Sequence, residues 1–180
     1  MEKFAAIGAL TCHANTGKEF VPSEVLGRII NAGHESILEH INLTYSIKGI
    51  SRALLQELAR HRHISLSVES TRHTLKKQLE DITFLKELPE EYQSLARSFA
   101  IFAVTTPDMP NDELKYFLPE FWPTNLVLTV NIRELRHILD LRTAPAALKE
   151  FRTLAHSMFD VVPEQFKYLL QDCVHKEVKS

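Results

Sequence analysis

Between Arg60 and His73 the chain reads RHRHISLSVESTRH: three arginines, three histidines and one carboxylate, Glu69, in fourteen residues. An arginine keeps its charge at physiological pH and presents a planar fork of N–H donors that meets phosphate oxygens in pairs. A histidine can stack on a heterocycle or hydrogen-bond its edge. Arginines and histidines followed by Ser70 and Arg72 therefore suit a phosphorylated aromatic ligand. The same run also reads as a solvated basic helix end, and its spacing alone leaves both readings open. Residues 51–77 hold six cations, Arg52, Arg60, Arg62, Arg72, Lys76 and Lys77, against Glu57 and Glu69, in a chain of net charge −2. One region is thus suited to an anion, while the whole chain lacks the field of a general nucleic-acid binder.

A second concentration lies in NIRELRHILDLR, residues 131–142. Asn131 and Glu134 have the spacing of a capping box, which predicts a helix beginning there. On that helix Arg133 and His137 are one turn apart and can face a common ligand. Arg142, four residues from Ile138 and seven from Leu135, falls on the apolar side, where a cation is costly unless an anion or acceptor meets it. A cation favoured by the negative end of the helix dipole is the plainer reading of Arg142.

The surrounding pattern has to position these groups. With 180 residues, 44% hydrophobic and 24% charged, the chain can bury a core and reads as one globular α/β domain over 1–180, in the α+β sense of a small, mostly antiparallel sheet packed by helices. Its opening apolar run has one lysine beside Glu2, too weak for a secretory signal, and no stretch of about 18 apolar residues suggests a membrane span. A cytoplasmic protein is expected. Cys12 and Cys173 have no CxxC partner and read as buried thiols rather than a disulfide or a zinc site.

PSEVLGRIINAG reads as a helix capped by Ser23 and stopped by Gly33, HESILEH as a turn or short helical piece, and INLTYSIKG as a strand ending at Gly49. SRALLQELARHR reads as a helix with Ser51 as N-cap, Leu54, Leu55, Leu58 and Ala59 inward, and Arg60, His61 and Arg62 in its last turn. A strand with Ile64, Leu66 and Val68 on one face follows, then a turn near Ser70. Further helices are predicted after Pro89 (Tyr92, Leu95, Ala96, Phe99 and Phe102 inward), near 112–118, and over 146–160 and 164–173, with a strand in NLVLTVN.

RHR followed after seven residues by Ser70, then by Arg72, resembles the signature of the flavin-dependent thymidylate synthases. GHESILEH resembles that family's histidine-rich segment, IKGISRALLQELARHR its strand-to-helix approach to the motif, and NIRELRHILDLR its Asn-x-Arg helix. Order and spacing are kept from about Leu10 to the C-terminus. The resemblance implies the family's fold and a methyltransferase that converts dUMP to dTMP, with methylenetetrahydrofolate as carbon donor and NADPH reducing an FAD cofactor. It also implies a homotetramer with active sites shared between subunits. By the same analogy His34, Ser36, Glu39, Arg60, His61, Arg62, Asn131, Arg133 and His137 bind FAD. Glu57, Arg60, Val68, Glu69, Ser70, Thr71, Arg72, Lys115 and Arg142 bind dUMP, and Arg142 polarises the uracil ring as the catalytic cation. Methylation of uracil through a cysteine would need a thiol of lowered pKa in the motif, and both cysteines lie outside it. No Ser-His-Asp order surrounds Ser70, and the resemblance to the family implies that activation falls to the flavin.

Ser67 and Val68 stand where many members have Asn and Glu, His73 replaces a frequent Tyr, Glu57 a usual Gln, and Lys115 an arginine whose fork it lacks. The first strand looks abbreviated. These departures keep open a divergent, non-catalytic flavin or nucleotide binder. A metal-dependent hydrolase using His61 and His63 with Glu39 and His40 is opposed by Arg60 and Arg62, which would repel a dication; no metal is expected. A single-strand nucleic-acid module lacks the overall charge for that role.

Overall fold

The computed structural model describes residues 1–15, 17, 19–80 and 82–176, with 85 and 87 described by backbone alone. Along the chain run α1 (Glu2–Cys12), α2 (Pro22–Asn31), a 3-10 turn (Glu35–His40), β1 (Asn42–Ser51), α3 (Arg52–Leu58), β2 (Ile64–Val68) and α4 (Thr71–Glu80). There follow α5 (Glu90–Thr105), α6 (Asn111–Leu114), β3 (Pro123–Asn131), α7 (Ile132–Thr143), α8 (Lys149–Asp160) and α9 (Glu164–Lys167). The strands form an antiparallel sheet in the order β1-β3-β2, the architecture expected from the sequence. Packing divides the chain into two compact units, one of Met1–Ser46, Leu58–Leu66 and Val127–Ser180, the other of Ile47–Glu57 and Ser67–Leu126; the division falls within all three strands.

In the first unit α1 packs against α2 and α7 against α8. Ala5, Ala6 and Ala9 form the buried face of α1, and Val25 and Leu26 that of α2. A strand was expected near the start of the chain; its small residues instead let a helix come close to its neighbour, and Cys12 at its end is exposed rather than buried. Ser23 lies inside α2 behind Pro22, and Val21 is the N-cap without a side-chain bond. Gly33 does supply the left-handed stop, at φ 73°. Ile132 N–H donates to the Ile41 carbonyl at 2.8 Å, and the Thr44 and Thr129 hydroxyls meet at 3.0 Å, fixing the register of β1 against β3 in this unit.

The second unit has its own core of Leu75, Ala96, Phe99, Ala103, Leu114 and Trp122. The indole of Trp122 stands edge-on to Phe84 and Phe99, with centroids 5.1 and 5.2 Å away, and donates to Gln78 Oε1 at 3.0 Å. On α5 the buried stripe is Ala96, Phe99 and Ala103, while the expected core residues Tyr92 and Leu95 are 46% and 55% exposed. Apolar residues occur all round that helix, so the pattern did not single out one face. β1 continues past its expected end at Gly49 to Ser51. Gly49 has φ 72°, and burial steps from Tyr45 and Ile47 to Ile50, so this left-handed residue shifts the alternation by one instead of ending the strand.

Ser51 caps α3 as expected, its Oγ accepting from Leu54 N–H at 3.0 Å. The helix ends at Leu58, however, so Ala59 is exposed and Arg60, His61 and Arg62 lie in a turn rather than in a last helical turn. The reading of these residues as a basic helix end therefore does not hold. Val68, expected on the apolar face of β2, is 37% exposed. The turn at Ser70 opens α4, which the sequence reading missed: the Ser70 carbonyl accepts from His73 and Thr74 N–H, both at 3.0 Å. Helix α8 begins at Lys149 rather than at 146, and 164–173 divides into α9 and a 3-10 turn, Gln171–Cys173. Among the described residues no helix is long and apolar enough to cross a membrane.

Candidate functional site

The passage from β3 into α7 organises the first unit's polar face. Asn131 Oδ1 accepts from Glu134 N–H at 2.8 Å, the forward half of the expected capping box. That bond sets the first turn of α7 and thereby Arg133, Glu134 and, one turn on, His137. The carboxylate of Glu134 bonds outside the box, where Oε1 meets Nδ1 of His61 at 3.2 Å. On the other side of the ring, Arg142 Nε donates to His61 Nε2 at 3.1 Å. The Arg142 guanidinium also lies over Phe151, 4.7 Å from the ring centroid.

These contacts assign the proton on His61. Arginine Nε always donates, so Nε2 must offer its lone pair, and the neutral ring carries its proton on Nδ1, donated to Glu134. The ring is 5% exposed. Burial lowers the His61 pKa below its ordinary value, the charge of Arg142 lowers it further, and the bond to Glu134 opposes both. With both ring nitrogens engaged, His61 has no lone pair to give a metal.

Two clefts adjoin this chain of bonds, both within the first unit and both bordered by His63, Glu134 and His137. One, of about 690 Å³, is lined by Glu39, Asn131 and Arg133 among others; Arg133 donates to Glu39 at 2.6 Å across it. The other, of about 480 Å³, takes in Arg60, His61, Arg62 and Arg142. Eight of the residues expected at FAD or at the reacting ring therefore line adjoining space: Glu39, Arg60, His61, Arg62, Asn131, Arg133, His137 and Arg142. His34 and Ser36 are exposed on the Glu35–His40 segment and its flank and line neither cleft.

Sequence reasoning missed Arg136, at the edge of the larger cleft. Only 7% exposed, it donates through Nε to Glu35 at 2.9 Å, through Nη1 and Nη2 to Asp172 at 2.7 Å each, and to the Leu169 carbonyl. It ties the Glu35–His40 turn, α7 and the C-terminal turn together. The bond from Arg136 holds the Asp172 carboxyl below the usual carboxylate range although burial opposes it. Burial pushes the neighbouring Cys173 thiol up to about 11, which keeps it protonated and a poor nucleophile.

The remaining residues expected at dUMP belong to the second unit: Glu57 near the end of α3, Val68 at the end of β2, Glu69 and Ser70 before α4, Thr71 and Arg72 at its start, and Lys115 after α6. Here the Arg72 fork grips the Asp112 carboxylate at 2.6 and 3.1 Å on the exposed surface. Each partner holds the other charged, raising Arg72 and lowering Asp112. The Glu69 carboxylate accepts from Gln78 at 2.9 Å and from Asn125 at 2.6 Å. Asn125 also accepts from Gly49 N–H at 3.0 Å, so Glu69 belongs to a network that holds the strand ends. Lys115 Nζ lies 5.5 Å from the Tyr116 ring.

Residues 2–166 match the family Thy1, thymidylate synthase complementing protein. The chain belongs to the Thy1 family. It is 38% identical over 171 residues to a flavin-dependent thymidylate synthase of Campylobacter jejuni, covering 87% of this chain and 83% of the relative. It is 40% identical over 169 residues to one from Wolinella succinogenes, covering 86% and 82%. Among solved Thy1-type folds, a Helicobacter pylori thymidylate synthase X with FAD and dUMP superposes with a TM-score of 0.85 at 31% identity, over 98% of this chain and 95% of that one.

Proposed function

We propose that this protein is an FAD-dependent thymidylate synthase that methylates dUMP to dTMP, with methylenetetrahydrofolate as carbon donor and NADPH as reductant. The single observation that carries the reading is the placement of Arg142, held by buried His61 in a cleft that Arg60 and Arg62 also line, in a chain of the Thy1 family. The donor set fits FAD: guanidinium forks suit a pyrophosphate, and imidazoles and Asn131 suit the edge of a flavin ring. When bound, FAD relays the reducing hydride.

In this reading Asn131, Arg133 and His137 bind and orient the flavin from α7, with Glu39 opposite Arg133, and Arg60, His61 and Arg62 do so from the turn after α3. His34 and Ser36 complete this set from the edge of the 3-10 segment. Arg142 stabilises negative charge as it develops on the pyrimidine. Ser70, Thr71 and Arg72 hold the nucleotide phosphate, with Glu57, Val68, Glu69 and Lys115 around it. For Arg72 to do so, phosphate must take the place of Asp112. The whole chain acts as one catalytic domain in a cytoplasmic homotetramer, in which the flavin set and the phosphate set can come from different copies.

The test is to purify the protein, record its visible spectrum and native mass, and measure dTMP formed from dUMP with NADPH and methylenetetrahydrofolate. A flavin spectrum with turnover and a tetrameric mass is expected. A yellow protein with no turnover would replace this reading by that of a non-catalytic flavin and nucleotide binder, which the engagement of Glu69 and the absence of a carboxylate at Val68 favour.

A further inference from the structure

Glu134 entered the sequence reading only as part of a helix cap, yet its carboxylate is buried against His61, with 11% of its side chain exposed and 4% of the histidine's. A carboxylate in such surroundings costs free energy unless it is hydrogen-bonded, so the contact is one the fold has to satisfy. Glu134 and Arg142 sit on the same helix with about 12 Å of axial rise between them. They are joined by the imidazole of a residue from another part of the chain, with Glu134 on Nδ1 and Arg142 on Nε2.

We propose that Glu134 is a positioning residue: by accepting the Nδ1 proton of His61, it keeps the Nε2 lone pair turned to Arg142 and so sets where that guanidinium stands in the cleft. The inference rests on the reading of Arg142 as the cation at the pyrimidine.

The alternative tautomer shows why the carboxylate matters. With the proton on Nε2, the ring would point an N–H at the Arg142 Nε–H, and two donors would face each other. Glu134 excludes that state, because its carboxylate is acceptor-only and leaves Nδ1 no favourable role except donor. Glutamine at 134 can present an amide oxygen to the same proton, whereas alanine presents nothing. The ring's other contacts are edge-to-face with His137 and Phe151, at centroid distances of 5.7 and 5.9 Å. They limit its tilt but do not choose between the nitrogens. The Arg142 guanidinium also lies over Phe151, and the bond from its Nε ties it to the His61 ring.

The test uses the full-length protein with flavin bound and two variants, Glu134→Ala and Glu134→Gln. Nitrogen-15 NMR of labelled histidine should show His61 as the Nδ1–H form in the wild type and in Glu134→Gln, and as the Nε2–H form or a mixture in Glu134→Ala. The Arg142 Nε–H signal should weaken with it. In the dTMP assay Glu134→Ala should lower kcat about 10- to 100-fold, with KM for dUMP within about threefold, and Glu134→Gln should recover most of the loss. Melting temperature and flavin content report whether Glu134→Ala folds, and Glu134→Gln carries the tautomer and kcat comparison if it does not. An unchanged His61 tautomer in Glu134→Ala, or a kcat within threefold of wild type, would overturn the proposal. So would a Glu134→Gln that falls as far as Glu134→Ala. If the wild type forms no dTMP, the functional reading fails, while the tautomer measurement still decides whether Glu134 sets the histidine.

Discussion

The α7 side of the first unit and the Ser70–Arg72 stretch of the second both bring arginine to an expected anion site, but they hold it differently. Arg136 and Arg142 are clamped from several directions by groups drawn from distant parts of the chain, with Arg136 inside the fold and Arg142 half-buried. Arg72 lies on the surface, 60% of its side chain exposed, and grips a single carboxylate. A cation clamped in this way meets its ligand already oriented, which suits a resident cofactor and a reacting ring. A cation in an exposed ion pair can trade one acid for another with little change in solvation, which suits a substrate that must come and go.

The sharpest way to break that comparison is to remove Arg136. Arg136→Met should cost about 3 to 5 kcal/mol of stability, because Glu35, Asp172 and a carbonyl lose their buried partner; a urea unfolding midpoint near the wild-type value would show that the clamp is dispensable. Next is Arg142. Arg142→Ala should lower kcat about 100- to 1000-fold with flavin retained. Arg142→Lys should recover little, since lysine lacks both the Nε–H that meets His61 and the planar fork. Steady-state kinetics with flavin quantification reads both.

On the surface side Arg72→Ala should raise KM for dUMP about tenfold or more and leave the melting temperature nearly unchanged. Asp112→Asn should lower that KM about two- to fivefold by removing the competing acid; a KM that rises instead would mean that the pair orders the site rather than occupies it. The smallest effect is on pH. His61 has a folded pKa below its ordinary value, so its contribution to stability is complete above about pH 6.5 and is lost as pH falls through the folded value. The depressed Asp172 adds a second loss only below the ordinary carboxylate range, about pH 4. Unfolding free energies from pH 8 to 5 should decline below 6.5, and His61→Asn should flatten that decline.

Much of the clamped region could be read from α7 itself. The Asn131 cap, the shared face of Arg133 and His137, and the inward Arg142 all follow from spacing on one helix. Arg136 obeys the same rule, four residues after Ile132 and three before Leu139, and its placement on that buried face was open to the same reading. The bond from Glu134 to His61 was not: it joins residues 73 apart, and nothing local distinguishes a glutamate that returns to its cap from one that does not. The end of α3 at Leu58 was hidden for a related reason, since no glycine or proline stops it and the chain turns where His61 enters the core. Helix α4 was overlooked because the break in the β2 alternation at Ser70 was read as a turn alone, whereas the Ser70 carbonyl starts the next element.

The acceptors around Arg136 come from Glu35, Leu169 and Asp172. A chain truncated ahead of residue 169 would lack two of these three acceptors and leave the guanidinium with most of its bonds unmade. The wall of the larger cleft at Arg136 is therefore completed by residues 169–172, and a truncation ahead of them should leave that wall unfinished.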